Sequence, residues 1–149
     1  MSYQEKRSIA NIISTVLLTG FYALYMWQNY FANDPGLLND FSFWGKTFLI
    51  LIPVTIVAKI VQEILLAIIN AIITQKEEDP SFTDERDKLI ELKSIRISHW
   101  TFALGFIVAM AALAMGMQPY VMFIILFCAG LVSELSESIA QLIYYYRGV

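Results

Sequence analysis

The chain has 149 residues, of which 58% are hydrophobic and 15% are charged, and its formal net charge is −3. A soluble domain is nearer half hydrophobic and a quarter charged, so this composition excludes an ordinary water-soluble domain and indicates a protein that lies in lipid. The single cysteine, Cys128, excludes an intrachain disulfide. Because Cys128 falls in an apolar run, we expect it to pack as a small hydrophobic residue.

Four segments are long and apolar enough to cross a bilayer, which takes about 20 residues of helix. The predicted helices cover residues 9–31, 44–74, 84–116 and 119–146 of a single membrane domain. The third helix is expected to begin near Asp84, with Thr83 as its cap, and to enter the membrane near Ile95, so that residues 75–94 form a polar connection. The predicted fold class is therefore all-α integral membrane, a four-transmembrane-helix bundle.

The basic residues predict how these helices are oriented in the membrane. Of the ten lysines and arginines, eight lie before the first helix, after the fourth or in the central connection: Lys6, Arg7, Lys76, Arg86, Lys88, Lys93, Arg96 and Arg147. Because positively charged loops stay in the cytoplasm, both termini and the central connection are predicted to be cytoplasmic, the arrangement N-in and C-in.

The two halves of the chain carry a weak internal repeat. Val61-Gln62-Glu63-Ile64 resembles Val132-Ser133-Glu134-Leu135, and seven residues after each glutamate comes an amide, Asn70 or Gln141. Both copies start on the same side, so a duplication predicts two tandem parallel helical hairpins related by an axis along the membrane normal. The alternative is chance similarity between apolar helices.

Polar side chains inside the predicted spans define a candidate site, because ionisable groups in lipid are costly and usually mark pairing, a water-filled cavity or a function. Helical spacing places those of the second helix on one face and those of the fourth on another, at similar depth, and a histidine enters from the third. This polar cluster comprises Lys59, Gln62, Glu63, Asn70, His99, Glu134, Glu137, Ser138 and Gln141.

One lysine faces three carboxylates in the polar cluster, so full ionisation would leave two uncompensated negative charges. The cluster could join the helices, with Lys59 paired to one of the carboxylates, or bind a proton or cation, or hold a metal through His99 and the glutamates. The Glu-x-x-Glu spacing and the single histidine do not match the Glu-x-x-His pattern of di-metal helix bundles. We therefore predict neither a metal nor another cofactor.

Small residues recur along the third helix at spacings of four, three and four: Gly105, Ala109, Ala112 and Gly116. Such a seam lets another helix approach closely. It could serve packing within the chain or the contact between two copies in a homodimer.

The start of the third helix carries a stripe of apolar residues among charges, at Leu89, Ile90, Leu92 and Ile95. It is either a helix end solvated by its charges or a docking surface for a cytoplasmic or membrane protein partner. The charged residues assigned to that surface are Asp84, Glu85, Arg86, Lys88 and Lys93.

The segment from Asp84 to Lys93, together with the region of Glu134 and the Tyr-Tyr-Arg-Gly ending, resembles a family of small uncharacterised prokaryotic membrane proteins. Their shared mark is an Asp-Glu-Arg-Asp-x-x-Ile stretch before a helical hairpin, and the resemblance covers mainly residues 84–148. It implies the cytoplasmic (inner) membrane of a bacterium or archaeon, and no established activity or catalytic residue.

The sequence contains no nucleotide-binding loop, nucleophile elbow, zinc-protease motif or basic nucleic-acid patch. It therefore predicts a non-enzymatic membrane protein that acts through protein partners as a regulatory or accessory subunit, with no nucleic acid among them. The alternative is a small proton- or cation-coupled transporter or sensor that uses the lysine and glutamates of the polar cluster.

Overall fold

The computed structural model describes residues 3–74 and 85–148, and the chain within these ranges is helical with no β-strand. Helix α1 spans Tyr3–Met26 and continues through a π-helical turn at Trp27–Phe31, which a 3₁₀ helix follows at Pro35–Asn39. The other helices are α2 (Phe41–Thr74), α3 (Glu85–Ala114) and α4 (Pro119–Arg147). All four are long and apolar enough to cross a membrane, which confirms the predicted all-α class with four helices of spanning length.

Two helices begin earlier than the hydropathy pattern predicts. α1 starts at Tyr3 rather than residue 9, because its charged first turns continue the helix beyond the apolar run. α2 starts at Phe41 rather than residue 44, because the Asp40 carboxylate caps it by accepting hydrogen bonds from the N–H groups of Ser42 at 2.9 Å and Phe43 at 3.2 Å. The 34 residues of α2 extend over about 51 Å, well beyond a hydrocarbon core of about 30 Å.

The bounds of α3 also differ from those predicted. It ends at Ala114 rather than residue 116, because Gly116 adopts a φ of +81° in the tight turn to α4. Gly116 therefore belongs to the turn and does not extend the small-residue seam. The predicted first residue, Asp84, and its cap, Thr83, lie outside the described residues, and the helix is already formed at Glu85.

α3 and α4 form a tight antiparallel hairpin. Ala109 and Ala112 are buried, with 0% and 4% of their surface exposed. Gly105 lies so close to α4 that a Cβ atom placed on it would overlap the Cβ of Ala129 and stand 3.3 Å from its Cα. These three seam residues pack within the chain, and the homodimer contact stays a prediction.

Aromatic rings join α1, α2 and α4 at one end of the bundle, which we call the aromatic end; the opposite end, with the start of α1 and α3, is the polar end. Trp44 is buried, stacks on Phe123 with 5.3 Å between ring centroids, and lies 5.0 Å from Phe31. Its Nε1 donates to the carbonyl of Leu38 at 3.0 Å, which satisfies the indole N–H. Cys128 is not enclosed as expected: it is exposed on α4, because a cavity of about 370 Å³ separates it from α1 and α2.

One contact of a closed four-helix bundle is absent from the described part of the chain. α4 packs along both α3 and α1, and α1 packs on α2, but α2 and α3 do not pack extensively on each other through residues 3–74 and 85–148. An opening remains between them, with α4 as its floor. We call this opening the α2–α3 groove, and it places the residues of the candidate site.

Candidate functional site: the groove between α2 and α3

The polar end of the α2–α3 groove is a charged cleft of about 480 Å³ to which all four helices contribute; we call it the polar cleft. Four members of the predicted polar cluster line it: Lys59, Glu63, Glu137 and Gln141. The other lining residues are Gln4, Arg7, Asn11, Ile60, Ile64, Asp87, Glu91 and Tyr145. The structure thus brings the α2 and α4 parts of the cluster together and adds charged residues from α1 and α3.

Two ion pairs tie α2 to its neighbours at this level. Lys59 Nζ lies 2.6 Å from Glu134 Oε1 of α4, so Glu134 is the carboxylate with which the lysine pairs. Arg7 Nε of α1 lies 2.7 Å from Glu63 Oε1 of α2. Sequence reasoning missed Arg7 because it precedes the predicted span. The imbalance of one lysine to three carboxylates in the polar cluster was the signal that a second basic side chain was needed to balance the charge.

The polar cleft carries an excess of negative charge. Among the described residues of the lining, the two basic side chains are each paired with a glutamate, and neither ion pair includes the three further carboxylates, Asp87, Glu91 and Glu137. Asp87 and Glu91 were missed because they lie in the predicted connection rather than in a span. A helical spacing could have found them. Glu91 follows Asp87 by four residues, and Ser98 and Phe102 follow Glu91 by seven and eleven, so all four residues lie on one face of α3.

The amides of the predicted cluster join α2 to α1. Asn70 is buried and its Oδ1 accepts a hydrogen bond from Lys6 Nζ at 3.5 Å. Gln62 Nε2 donates to Asn11 Oδ1. Sequence reasoning did not pair these residues, because Lys6 precedes the predicted first span and Asn11 carries no charge.

Besides Gln62, Asn70 and Glu134, two further predicted members of the cluster do not line the polar cleft. Ser138 is buried on α4 but does not line the cleft, and His99 is exposed, with its ring centroid 6.3 Å from that of Trp100. His99 falls outside the cluster because the turn of α3 places it about 120° away from the face that carries Asp87. Among the described residues, no group of three His, Cys, Asp or Glu side chains is arranged to hold a metal ion.

Between the polar cleft and the aromatic end, the α2–α3 groove is lined mainly by apolar side chains over a further volume of about 480 Å³; we call this part the apolar groove. Phe48 of α2 and Phe102 of α3 belong to opposite walls, and Gly130 lies on the α4 floor. Glu134 also lines the apolar groove, whereas its partner Lys59 lines the polar cleft. Their ion pair therefore lies where the two parts meet.

The predicted docking surface at the start of α3 is divided between two faces of the helix. Glu85, Lys88, Leu89 and Leu92 are exposed on one face, which we call the outer α3 face, and the two leucines are 58% and 64% exposed. Ile90 is only 2% exposed. The expected continuous apolar stripe is therefore split, because Ile90 is buried in the bundle while the leucines point away from it.

The other assigned docking residues lie elsewhere. Lys93 Nζ stands 5.8 Å from the centroid of the Tyr144 ring, a cation–π distance, so this lysine contacts α4. Arg86 also points toward the end of α4, where its Nη2 would lie 3.8 Å from a Cβ placed on Gly148. Asp84 lies outside the described residues.

No protein-family model, no curated protein and no solved structure matches this chain. The resemblance to the family with the Asp-Glu-Arg-Asp-x-x-Ile stretch therefore stays a prediction.

Proposed function

We propose that this chain is a non-enzymatic membrane protein that acts as a regulatory or accessory subunit by binding a protein partner through the outer α3 face. The observation that carries this proposal is the exposure of Leu89 and Leu92 on that face. The 30 residues of α3 extend over about 45 Å, so its first turns project from a hydrocarbon core of about 30 Å. Apolar side chains exposed there, among charges, are typical of an interaction surface.

The basic residues also favour one orientation of the helices and one membrane. The polar end carries most of the basic residues: Lys6, Arg7, Arg86, Lys88, Lys93, Arg96 and Arg147. Lys46 lies near the aromatic end. The positive-inside rule then favours N-in and C-in in the cytoplasmic membrane of a prokaryote, with the outer α3 face in the cytoplasm.

Protease accessibility tests this orientation. A tag added after residue 149 should be cut by protease in inside-out vesicles and protected in intact spheroplasts.

Duplication of a helical hairpin is also part of the proposal. The matched glutamates Glu63 and Glu134 each form an ion pair with a basic residue of another helix, which supports a common role. The two copies have diverged in packing, because α4 packs along α1 whereas α2 stands away from α3.

A photo-crosslinking residue placed at Leu92 tests the partner surface. In native membranes we expect one major adduct with a different protein, because Leu92 is exposed on the proposed interface. Leu89→Ser should lower the yield of that adduct several-fold by removing the neighbouring apolar contact. The matched control is the same crosslinking residue at Ile72, which is 72% exposed at the polar end of α2, against 64% for Leu92. Adducts of the same identity and yield from both positions, or adducts with this chain alone, would count against the proposal.

One observation favours the alternative, a small proton- or cation-coupled transporter or sensor: three carboxylates of the polar cleft lie outside the two ion pairs. A transport path would also have to pass the apolar groove and the cavity at the aromatic end. The residues that line these two volumes include one charged side chain, Glu134, which Lys59 already neutralises. The geometry therefore supports an accessory role better than transport.

Proteoliposomes discriminate between the two functions. An accessory subunit should show no ion- or pH-dependent flux, and Glu134→Gln should leave the Leu92 adduct in native membranes unchanged. A transporter should show such flux in the wild type and lose it in Glu134→Gln, while Glu85→Gln, a matched change on the outer α3 face, should retain it. Flux with this pattern would replace the accessory function by the alternative.

A further inference from the structure

We propose that the α2–α3 groove binds one amine-bearing phospholipid of the phosphatidylethanolamine class, with its headgroup in the polar cleft and one acyl chain in the apolar groove. This site is separate from the outer α3 face, so it does not depend on the proposed protein partner. The proposal rests on the shape, charge and size of the groove.

The groove has the two-part character of a lipid. Its apolar part is walled by rings such as Phe48 and Phe102, and its polar part lies toward the polar end of the bundle, where charged side chains from all four helices line it. Both parts open between α2 and α3, which leaves a lateral entrance from the bilayer. The ion pair between Lys59 and Glu134 lies where the polar and apolar parts of the groove meet.

The charges of the polar cleft select the headgroup. Glu91 and Glu137 lie outside the two ion pairs and can accept hydrogen bonds from a primary ammonium. Arg7 uses its Nε in the ion pair with Glu63, and the remaining guanidinium N–H groups are suited to a phosphate. A headgroup with both a phosphate and an ammonium complements this arrangement, whereas an anionic headgroup without an amine would meet an excess of carboxylates.

The volume of the groove suits a small-molecule occupant such as a lipid. Each part of the groove has a volume of about 480 Å³, within the range of about 300–1,000 Å³ typical of small-molecule sites. A single acyl chain with its headgroup matches the space that the groove offers.

The test uses the full-length protein in nanodiscs that contain phosphatidylethanolamine and phosphatidylglycerol in equal amounts, followed by release into mild detergent and native mass spectrometry. We expect the retained lipid to be enriched in phosphatidylethanolamine. The double variant Glu91→Gln, Glu137→Gln should lower that enrichment about tenfold, because it removes charge-assisted hydrogen bonds to the ammonium. Glu85→Gln, a matched change outside the groove, should have no effect.

A second variant acts on the apolar part. Gly130 lines the apolar groove, and a Cβ placed on it meets no atom within 4 Å, so Gly130→Leu should fill the groove without disturbing helix packing. We expect it to abolish retention of either lipid. The matched control is Gly20→Leu. A Cβ placed on Gly20 also meets no atom within 4 Å, but Gly20 does not line the apolar groove.

Each outcome decides the proposal. Equal retention of the two lipids, or retention that survives Gly130→Leu, would overturn it. A retained second copy of the chain or a co-purifying membrane helix that Gly130→Leu displaces would also overturn it, in favour of a protein in the groove. Enrichment that is lost in the double variant and kept in Glu85→Gln supports it.

Discussion

Gly105→Ala is expected to destabilise the folded protein by about 2 kcal/mol, although alanine is the better helix former by about 1 kcal/mol. The added Cβ would overlap the Cβ of Ala129, and α4 cannot move away without opening the contacts of Ala109 and Ala112. The measurement is the free energy of unfolding of the purified protein, by titration with a denaturing detergent in mixed micelles.

The chain offers a matched control and a rescue for this prediction. Gly20 lies within α1, and a Cβ placed on it meets no atom within 4 Å, so Gly20→Ala should leave stability unchanged or raise it by up to about 1 kcal/mol. Adding Ala129→Gly to Gly105→Ala should restore most of the lost stability, because it removes the overlapping methyl group. If the two glycine variants prove equally stable, the close approach of α3 and α4 is wrong.

Lys59→Met should loosen α2, lowering the free energy of unfolding by about 1–2 kcal/mol. The change leaves Glu134, which lines the apolar groove, without its ion-pair partner, and apart from the aromatic rings around Trp44 few other contacts hold α2 to α4. Detergent unfolding measures the stability, and the distance between spin labels on α2 and α4 should broaden in the variant.

Removing both charges separates two causes of a lower free energy of unfolding: the unpaired charge of Glu134 and the loss of the Lys59 side chain. Lys59→Met combined with Glu134→Gln should recover most of the stability, since neither side chain then carries an uncompensated charge. Lys46→Met, on an exposed lysine of the same helix, should have little effect. A double variant that is as unstable as Lys59→Met alone would show that the lost stability does not come from the unpaired charge of Glu134.

The helices could be predicted from the sequence because hydropathy and helical spacing are local properties of the chain. The same local pattern placed Gly105, Ala109 and Ala112 on one seam, but it could not show that α4 is the helix that approaches them. Gly116 shares the spacing of the seam, yet its backbone conformation ends the helix. Spacing alone does not report a positive φ, so this residue could not be separated from the other three.

The candidate site was predictable only where its residues lie within the apolar spans. Lys59 and Glu63 stand out because a charge in a hydrophobic run is unusual, whereas Arg7 and Glu91 lie among other charges and give no such signal. His99 stood out for the same reason as Lys59, but its position around α3 turns it away from the bundle. The groove itself follows from a contact that α2 and α3 do not make, and no pattern within a single helix encodes that.

Because α2 is the longest helix and has few lateral contacts, we expect it to respond most to a change of bilayer thickness. Its 34 residues exceed the hydrocarbon core, and its lateral contacts are mainly the aromatic rings around Trp44, the ion pairs at Lys59 and Glu63, and the hydrogen bonds of Gln62 and Asn70 to α1. Hydrophobic mismatch is relieved by tilting, and a helix with few lateral contacts tilts more readily than a tightly packed hairpin. We therefore expect a thinner bilayer to swing α2 relative to α3 and change the width of the groove, while α3 and α4 move as one unit.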